Sequence, residues 1–211
     1  MKVYGKIKDS QSGASRESAR LLLTVMEERN SGAVETFNKV ARLALSVAEY
    51  VGLADYEIER IELAGRLHDV GKLAIPDAIL RKPGSLTPKE WAIMQTHAEI
   101  GERILRSSPT LEYVAEIVRW HHERYDGRGY PDRLSGEGIP VAARIVAVCA
   151  AFVAMMKQRP FSDAITVEEA LAELRRGSGS QFDPQIVEAF SGLLQRAVAL
   201  PLTPTPPHAY S

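Results

Sequence analysis

The chain contains little of what marks several classes of protein. Cys149 is the single cysteine in 211 residues, so no disulfide can form within the chain, and a small disulfide-stabilised secreted domain is excluded. Lysine and arginine total 26 against 27 aspartate and glutamate residues, so no excess of positive charge indicates nucleic acid or an anionic membrane as a partner. The N-terminus lacks the apolar segment of a secretory signal. We therefore expect a cytoplasmic protein.

Long hydrophobic runs are also missing. The most apolar run, residues 145–156, has 12 residues, whereas a membrane-spanning helix needs about 20. Hydrophobic residues make up 45% of the chain and charged residues 25%, which is typical of a globular domain with a real core. We predict that neither a membrane nor a nucleic acid is a partner.

Apolar residues recur at helical spacing along most of the chain, and no strand pattern persists. Thr87, Pro88 and Glu90 form a typical helix start, with the threonine as N-cap. The sequence predicts an all-α protein, a compact multi-helix bundle at 15–199, between a flexible N-terminus at 1–14 and a Pro-rich disordered tail at 200–211. Helices are predicted at 15–29, 34–50, 56–70, 87–106, 111–122, 140–157, 167–176 and 184–199.

Histidine is scarce, with five residues in the chain, yet four of them fall at the ends or middles of three predicted helices. Taken singly, a helical histidine is more often a surface or core residue than a metal ligand. Here Asp69 stands beside one of them, and a buried carboxylate is costly unless it is paired or binds a metal. A helix bundle can bring such residues to one core site. Imidazole and carboxylate together favour zinc, iron, manganese or nickel, so we predict a metal site at His68, Asp69, His97, His121 and His122.

The order of these residues is similar to that of a known family. His68-Asp69-x-Gly71-Lys72 is followed by His97 and then by HHERYDGRGYP at 121–131. This pattern resembles the HD-GYP family of the HD phosphohydrolase superfamily, bacterial proteins that hydrolyse the second messenger cyclic di-GMP. The resemblance extends over about 20–195 and includes RPF at 159–161. It implies an all-α HD-domain bundle with two, sometimes three, metals at its core.

The resemblance also implies roles for individual residues. One metal would be held by Asp69, His97, His121 and His122, and another by His68 and Asp69 with two further ligands. Lys72, with His68 and Asp69, would serve catalysis, the lysine by neutralising the scissile phosphate. The loop that contacts substrate or partner proteins would comprise Glu123, Asp126, Gly127, Gly129, Tyr130, Pro131 and Arg159.

Two ligand positions depart from the family pattern, and both belong to the same metal. Thr36 stands where the family has its first histidine, and Ala150 stands where it has a late aspartate; Val153 replaces a further acidic residue. We therefore predict one transition metal at most, iron, manganese or zinc, or none, with Ala150 and Val153 buried near Thr36. If the alignment were shifted, the missing ligand would have to come from Glu35, Asn38 or Glu49.

Three functions remain open. The first is a divergent HD-GYP domain of cyclic di-GMP signalling that is weak or inactive as a phosphodiesterase and is retained for binding or regulation. The resemblance implies, as a partner for it, a diguanylate cyclase (GGDEF) domain or another signalling protein. The second is an active metal-dependent cyclic di-GMP phosphodiesterase with a mononuclear or reconstituted site. The third is hydrolysis of a different phosphoester.

Overall fold

A computed structural model describes the backbone of residues 2–157 and 165–199, and the side chains of 13–157 and 165–196. The predicted all-α fold is confirmed, because those residues contain no strand beyond one isolated bridge between Ser178 and Phe182. The helices of the described chain are α1 (Lys2–Arg29), α2 (Ala33–Tyr50), α3 (Asp55–Leu67), α4 (Asp77–Leu80), α5 (Pro88–Gln95), α6 (His97–Arg106), α7 (Ala115–Trp120), α8 (Val141–Met156), α9 (Val167–Arg176) and α10 (Pro184–Ala199).

Helix α2 lies at the centre of the bundle and packs against α1, α3, α8 and α10. Apolar residues three and four positions apart cover its buried face, which is what a core helix requires; they include Phe37, Val40, Ala44 and Val47. Helix α8 is apolar on nearly every side, and it packs against α2, α3, α7 and α9. Residues of α2 and α8 also line the cavity of the candidate site.

The first helix is longer than we predicted, since it begins at Lys2 instead of Ser15. The expected flexibility of residues 1–14 stays a prediction. The predicted helix at 87–106 is wrong in one respect, because it is divided at Thr96 into α5 and α6. The Thr96 hydroxyl donates to the carbonyl oxygen of Ile93 at 2.7 Å, a local bond that competes with helix continuation. His97 thus becomes the first residue of α6.

Two other helices end earlier than predicted. Helix α3 stops at Leu67, and a 3₁₀ turn at Val70–Ala74 follows. Helix α7 spans only Ala115–Trp120 and follows a 3₁₀ turn at Glu112–Val114. Because α3 and α7 end early, His68 and Asp69 lie in the turn directly after α3, and His121 and His122 lie in the turn directly after α7.

The segment between the predicted helices at 56–70 and 87–106 contains helix α4 and is held to the end of α1 by Arg29. The Arg29 guanidinium donates to the carbonyl oxygens of Lys72, Leu73 and Ile75 and forms an ion pair with Asp77. This set of bonds positions the segment that carries Lys72.

Arg159, the RPF segment and the tail at 200–211 lie outside the described residues. No helix within the described part of the chain combines the length and hydropathy that crossing a bilayer requires.

Candidate metal centre

Four of the predicted ligands converge on one point. One donor atom from each of Asp69, His97, His121 and His122 lies within 4.8 Å of the other three. Transition metals take nitrogen and oxygen donors at about 2.0–2.2 Å, so a small inward shift of these side chains would let all four contact one ion. The four residues come from the turn after α3, the start of α6 and the turn after α7.

The histidine rings are oriented by the backbone. The Nδ1 atoms of His97 and His121 lie 2.7 Å and 2.6 Å from the carbonyl oxygens of Met94 and Val118. Such a bond fixes the tautomer and leaves Nε2 as the ligand atom. Both Nε2 atoms are buried and have no hydrogen-bond partner, which is costly unless a further group binds there. The residues present therefore fit a bound transition metal.

The charges of the site also favour a cation. Burial lowers the pKa of His97, His121 and His122, the last two well below the usual histidine value. Neutral imidazole is the form that binds a metal. Burial alone would raise the pKa of Asp69, but the charges of Lys72 and His68 hold it well below its usual value. The site thus combines neutral imidazoles with an ionised carboxylate.

His68 and Lys72 lie on the other side of the Asp69 carboxylate. Its Oδ1 is 3.4 Å from His97 Nε2, whereas its Oδ2 is 3.4 Å from His68 Nε2 and 2.7 Å from Lys72 Nζ. His68 is outside the group of four, and its Nδ1 lies 2.9 Å from the Gly65 carbonyl oxygen. One carboxylate therefore separates the four-ligand side from a side that holds His68 and a lysine. The predicted roles of His68 and Lys72 stay predictions.

A cavity of about 340 Å³ opens onto both sides and is lined by Thr36 and Ala150 as well as by Asp69. Thr36 and Ala150 thus face the predicted centre with a hydroxyl and a methyl group in place of imidazole and carboxylate. Val153 is buried as predicted, at 7% exposure. Ala150 is only partly buried, because it forms the cavity wall.

The three residues named as alternative ligands for a shifted alignment lie away from the candidate centre. Glu35 and Asn38 line a separate groove between α1, α2 and α3, and Glu35 forms an ion pair with Lys39 at 2.8 Å. Glu49 is exposed. None of the three lines the cavity that contains Asp69.

The predicted loop residues have mainly structural contacts. Glu123 is buried, and its Oε1 accepts a hydrogen bond from the Asp132 backbone at 2.7 Å. Asp126 forms a two-bond ion pair with Arg124, which lowers the pKa of Asp126 to about 2.

The glycines and Tyr130 bring this loop close to the ligands. Gly127 has φ 75°, and a Cβ on Gly129 would clash with the backbone of Glu123 and Arg124. Tyr130 stacks on His122 with ring centroids 4.8 Å apart, and burial raises the pKa of Tyr130. Pro131 follows it through a cis peptide bond. The loop thus forms one wall of the metal centre.

Sequence reasoning missed two cations of the cavity, Arg124 and Lys157. The signal for Arg124 was its place within the HHERYDGRGYP segment. The signal for Lys157 was its spacing of seven residues from Ala150, which places both on one face of a helix.

The family model for the HD domain matches residues 9–186. The chain therefore belongs to the HD domain family, and the HD-GYP type indicated by its motifs is confirmed. It is 44% identical over 176 residues to the cyclic di-GMP phosphodiesterase response regulator RpfG of Xanthomonas campestris, covering 82% of this chain and 47% of that protein. It is also 44% identical over 176 residues to 3'3'-cGAMP-specific phosphodiesterase 2 of Vibrio cholerae, covering 82% of this chain and 34% of the relative. The chain thus spans half or less of the length of these curated relatives.

The fold is similar to that of a solved structure. The HDG"Y"P protein Bd1817 of Bdellovibrio bacteriovorus superposes with a TM-score of 0.65 at 20% identity, covering 91% of this chain and 63% of that one. At this identity the likeness shows the fold alone.

Proposed function

We propose that this chain is an HD-GYP-type domain of cyclic dinucleotide signalling that binds cyclic di-GMP at a one-metal centre and hydrolyses it weakly or not at all. The observation that carries the proposal is the asymmetry of the centre. Four donors converge at Asp69, His97, His121 and His122, while Thr36 and Ala150 face the same cavity without an imidazole or a carboxylate. The names of the relatives, which act on cyclic di-GMP and 3'3'-cGAMP, support the substrate class.

The chemistry of the cavity suits a phosphodiester. A transition metal held by the four donors would act as a Lewis acid toward a phosphate oxygen. Lys72, with Nζ 2.7 Å from Asp69 Oδ2, places a positive charge beside that position. Arg124 lines the same cavity and holds its guanidinium against Asp126. These groups bind and orient the anion.

Weak hydrolysis follows from the residues at 36 and 150. An alanine and a threonine cannot hold a second cation firmly, so the charge stabilisation of a two-metal centre is halved. Loss of even one electrostatic donor from a catalytic site costs about 100- to 1000-fold in rate. We therefore expect binding to persist where turnover is strongly reduced.

The second candidate is an active phosphodiesterase that works with one metal. It is favoured by the intact His68, Asp69 and Lys72 arrangement, in which one carboxylate contacts both basic groups. A rate of hydrolysis by the parent chain equal to that of a restored centre would select this candidate.

The groove beside the loop supports a protein partner. It is lined by residues 127–131 and by Arg133 and Glu99, and Trp91, 47% exposed, packs edge-on to Tyr130 nearby. Aromatic residues and arginine are enriched in protein interfaces, and the rim of an interface is polar. A diguanylate cyclase domain or another signalling protein is the partner that we propose for this surface.

The decisive experiment restores the missing ligands. We would compare the parent chain with the double variant Thr36→His, Ala150→Asp, measuring metal per chain by elemental analysis and cyclic di-GMP hydrolysis by chromatography. We expect one metal per chain in the parent and a second in the variant, with hydrolysis at least about 100-fold faster, the lower value for one electrostatic donor.

The matched control is Thr36→His, Ala150→Asn, which has nearly the same shape but lacks the carboxylate. It should stay close to the parent in both measurements. Equal rates for the parent and the restored variant would contradict the weakened-enzyme proposal. Failure of the parent to bind cyclic di-GMP would contradict the binding function.

A further inference from the structure

We propose that Lys157 binds a phosphate oxygen of the dinucleotide in the part of the cavity next to Thr36 and Ala150, where it supplies the positive charge that no second set of metal ligands holds. The inference rests on the proposed function, because it names a binding residue for the same ligand.

Lys157 stands at the boundary of two adjoining cavities. It lines the 340 Å³ cavity of the metal centre and also a neighbouring cavity of about 170 Å³ beside the end of α1. Thr36, Asp69 and Lys72 line both cavities as well. The side chain of Lys157 therefore reaches the part of the site where the residue types required for a second metal are missing.

The geometry of α8 explains this placement. Ala147, Ala150 and Ala154 follow one another at spacings of three and four residues, so they share one face of α8, and Lys157 follows three residues after the last of them. The three alanines line the cavity with methyl groups, and small side chains leave room for a ligand between the helix and Asp69. Lys157, the C-cap residue directly after α8, extends its ammonium group past these alanines.

The hydrogen bonds of Thr36 also indicate that Lys157 can bind a ligand in this part of the cavity. Its hydroxyl donates to the Gly32 carbonyl oxygen at 3.0 Å and accepts from Lys157 Nζ at 3.5 Å. The lysine contact is at the long limit for a hydrogen bond, so it is easily exchanged for a stronger acceptor. A phosphate oxygen is such an acceptor, because it carries negative charge.

Lys157 also differs from the other cations of the cavity in having no carboxylate partner among the described residues. Lys72 is paired with Asp69, and Arg124 with Asp126. Glu35, whose pKa Lys157 helps to lower, is paired chiefly with Lys39. The Lys157 side chain is exposed. Its charge is thus available to an anionic ligand and contributes little to the stability of the fold.

The test measures affinity directly. Protein loaded with its metal would be titrated with cyclic di-GMP by calorimetry at fixed ionic strength, using the parent, Lys157→Ala, Lys157→Arg and the control Lys89→Ala. Lys89 is exposed on α5 and lies outside the lining of the described cavities, so the control removes the same charge elsewhere.

We expect Lys157→Ala to weaken binding about 10-fold, the value of one charge-assisted hydrogen bond, and the loss should shrink as salt is added. Lys157→Arg should bind within about threefold of the parent because it keeps the charge. Lys89→Ala, the metal content and the thermal midpoint should not change.

A Lys157→Ala variant that binds as tightly as the parent would overturn the role of Lys157 and leave the proposed function intact. Absence of binding by the parent itself would overturn both. A double-mutant test gives an independent check: in the Thr36→His, Ala150→Asp background, a bound second metal should occupy the same part of the cavity, and Lys157→Ala should then have little effect. An undiminished effect in that background would also contradict the proposal.

Discussion

At the scale of single residues, three histidines in or next to the centre are oriented by the backbone in the same way. The Nδ1 atoms of His68, His97 and His121 each lie within hydrogen-bond distance of the carbonyl oxygen three residues earlier. A backbone carbonyl accepts only from a protonated nitrogen, so Nε2 is left unprotonated in the neutral rings of His97 and His121. For His97 and His121 that atom is buried without a hydrogen-bond partner. The local backbone thus prepares the rings to bind a metal.

His121→Ala should therefore remove metal from the protein. We expect metal affinity to fall by at least about 10-fold, since the loss of a mere outer hydrogen-bond partner already costs about 10- to 100-fold. Elemental analysis after dialysis against a weak chelator measures the change.

The matched control is His208→Ala, which changes the histidine of the Pro-rich tail. Circular dichroism would confirm that both variants keep their helices. Full metal content in folded His121→Ala would show that the four-donor group is not the metal site.

At the scale of elements, the centre depends on a close approach between α6 and the turn after α3. A Cβ on Gly71 would clash with the carbonyl oxygen of His97 and with the backbone nitrogen of Gly101. The glycine of the His68-Asp69-x-Gly71-Lys72 motif is thus required by packing rather than by chemistry. It lets the segment carrying Asp69 lie directly against the first turn of α6, which carries His97.

Gly71→Ala should push these two segments apart. We expect a loss of about 1–3 kcal/mol in the free energy of unfolding, the usual cost of overpacking, together with weaker metal binding because His97 moves away from Asp69. Urea denaturation and elemental analysis measure the two effects.

Gly138→Ala is the control, because a Cβ there meets no atom within 4 Å. Its stability should stay within about 1 kcal/mol of the parent. A Gly71→Ala variant with unchanged stability and metal content would show that the close approach is not required.

At the scale of the whole molecule, a buried ion pair ties the C-terminal helices to the rest of the bundle. Asp183, with 1% of its side chain exposed, pairs with Arg144 near the start of α8. The same carboxylate accepts a hydrogen bond from the backbone of Gln185 at 2.7 Å, and Arg144 donates to the Ile139 carbonyl oxygen at 2.8 Å. The preceding loop also accepts backbone hydrogen bonds from Tyr125 and Asp126. This contact positions α8, the helix that lines the cavity.

Asp183→Ala should lower the free energy of unfolding by about 3–5 kcal/mol, because it leaves a largely buried guanidinium without its partner. Urea denaturation followed by circular dichroism measures the change. Glu173→Ala, which removes an exposed ion pair with Arg176, should cost at most about 1 kcal/mol. Equal costs for the two variants would contradict a structural role for the buried pair.

Much of the fold followed from local patterns. Helical spacing located most helices, and the predicted N-cap at Thr87 is confirmed by a capping box with Glu90. The break at Thr96 and the early end of α3 were not predictable from spacing, because they depend on side-chain hydrogen bonds and packing that periodicity does not contain. Periodicity also could not identify Lys157 as a residue of the cavity, because that depends on how α8 packs against the other helices.

The sequence by itself determined the family, the all-α class and the residue types available at the centre, because motif order and apolar periodicity are properties of the chain. It also predicted that Thr36 and Ala150 stand at positions where the family has metal ligands. Only the tertiary structure decided that Asp69, His97, His121 and His122 meet within 4.8 Å while His68 stays outside that group. It also decided that Lys157 faces the remaining side of the same cavity. The physical reason is that these residues come from separate helices and turns, and only the packing of the bundle sets the distances between them.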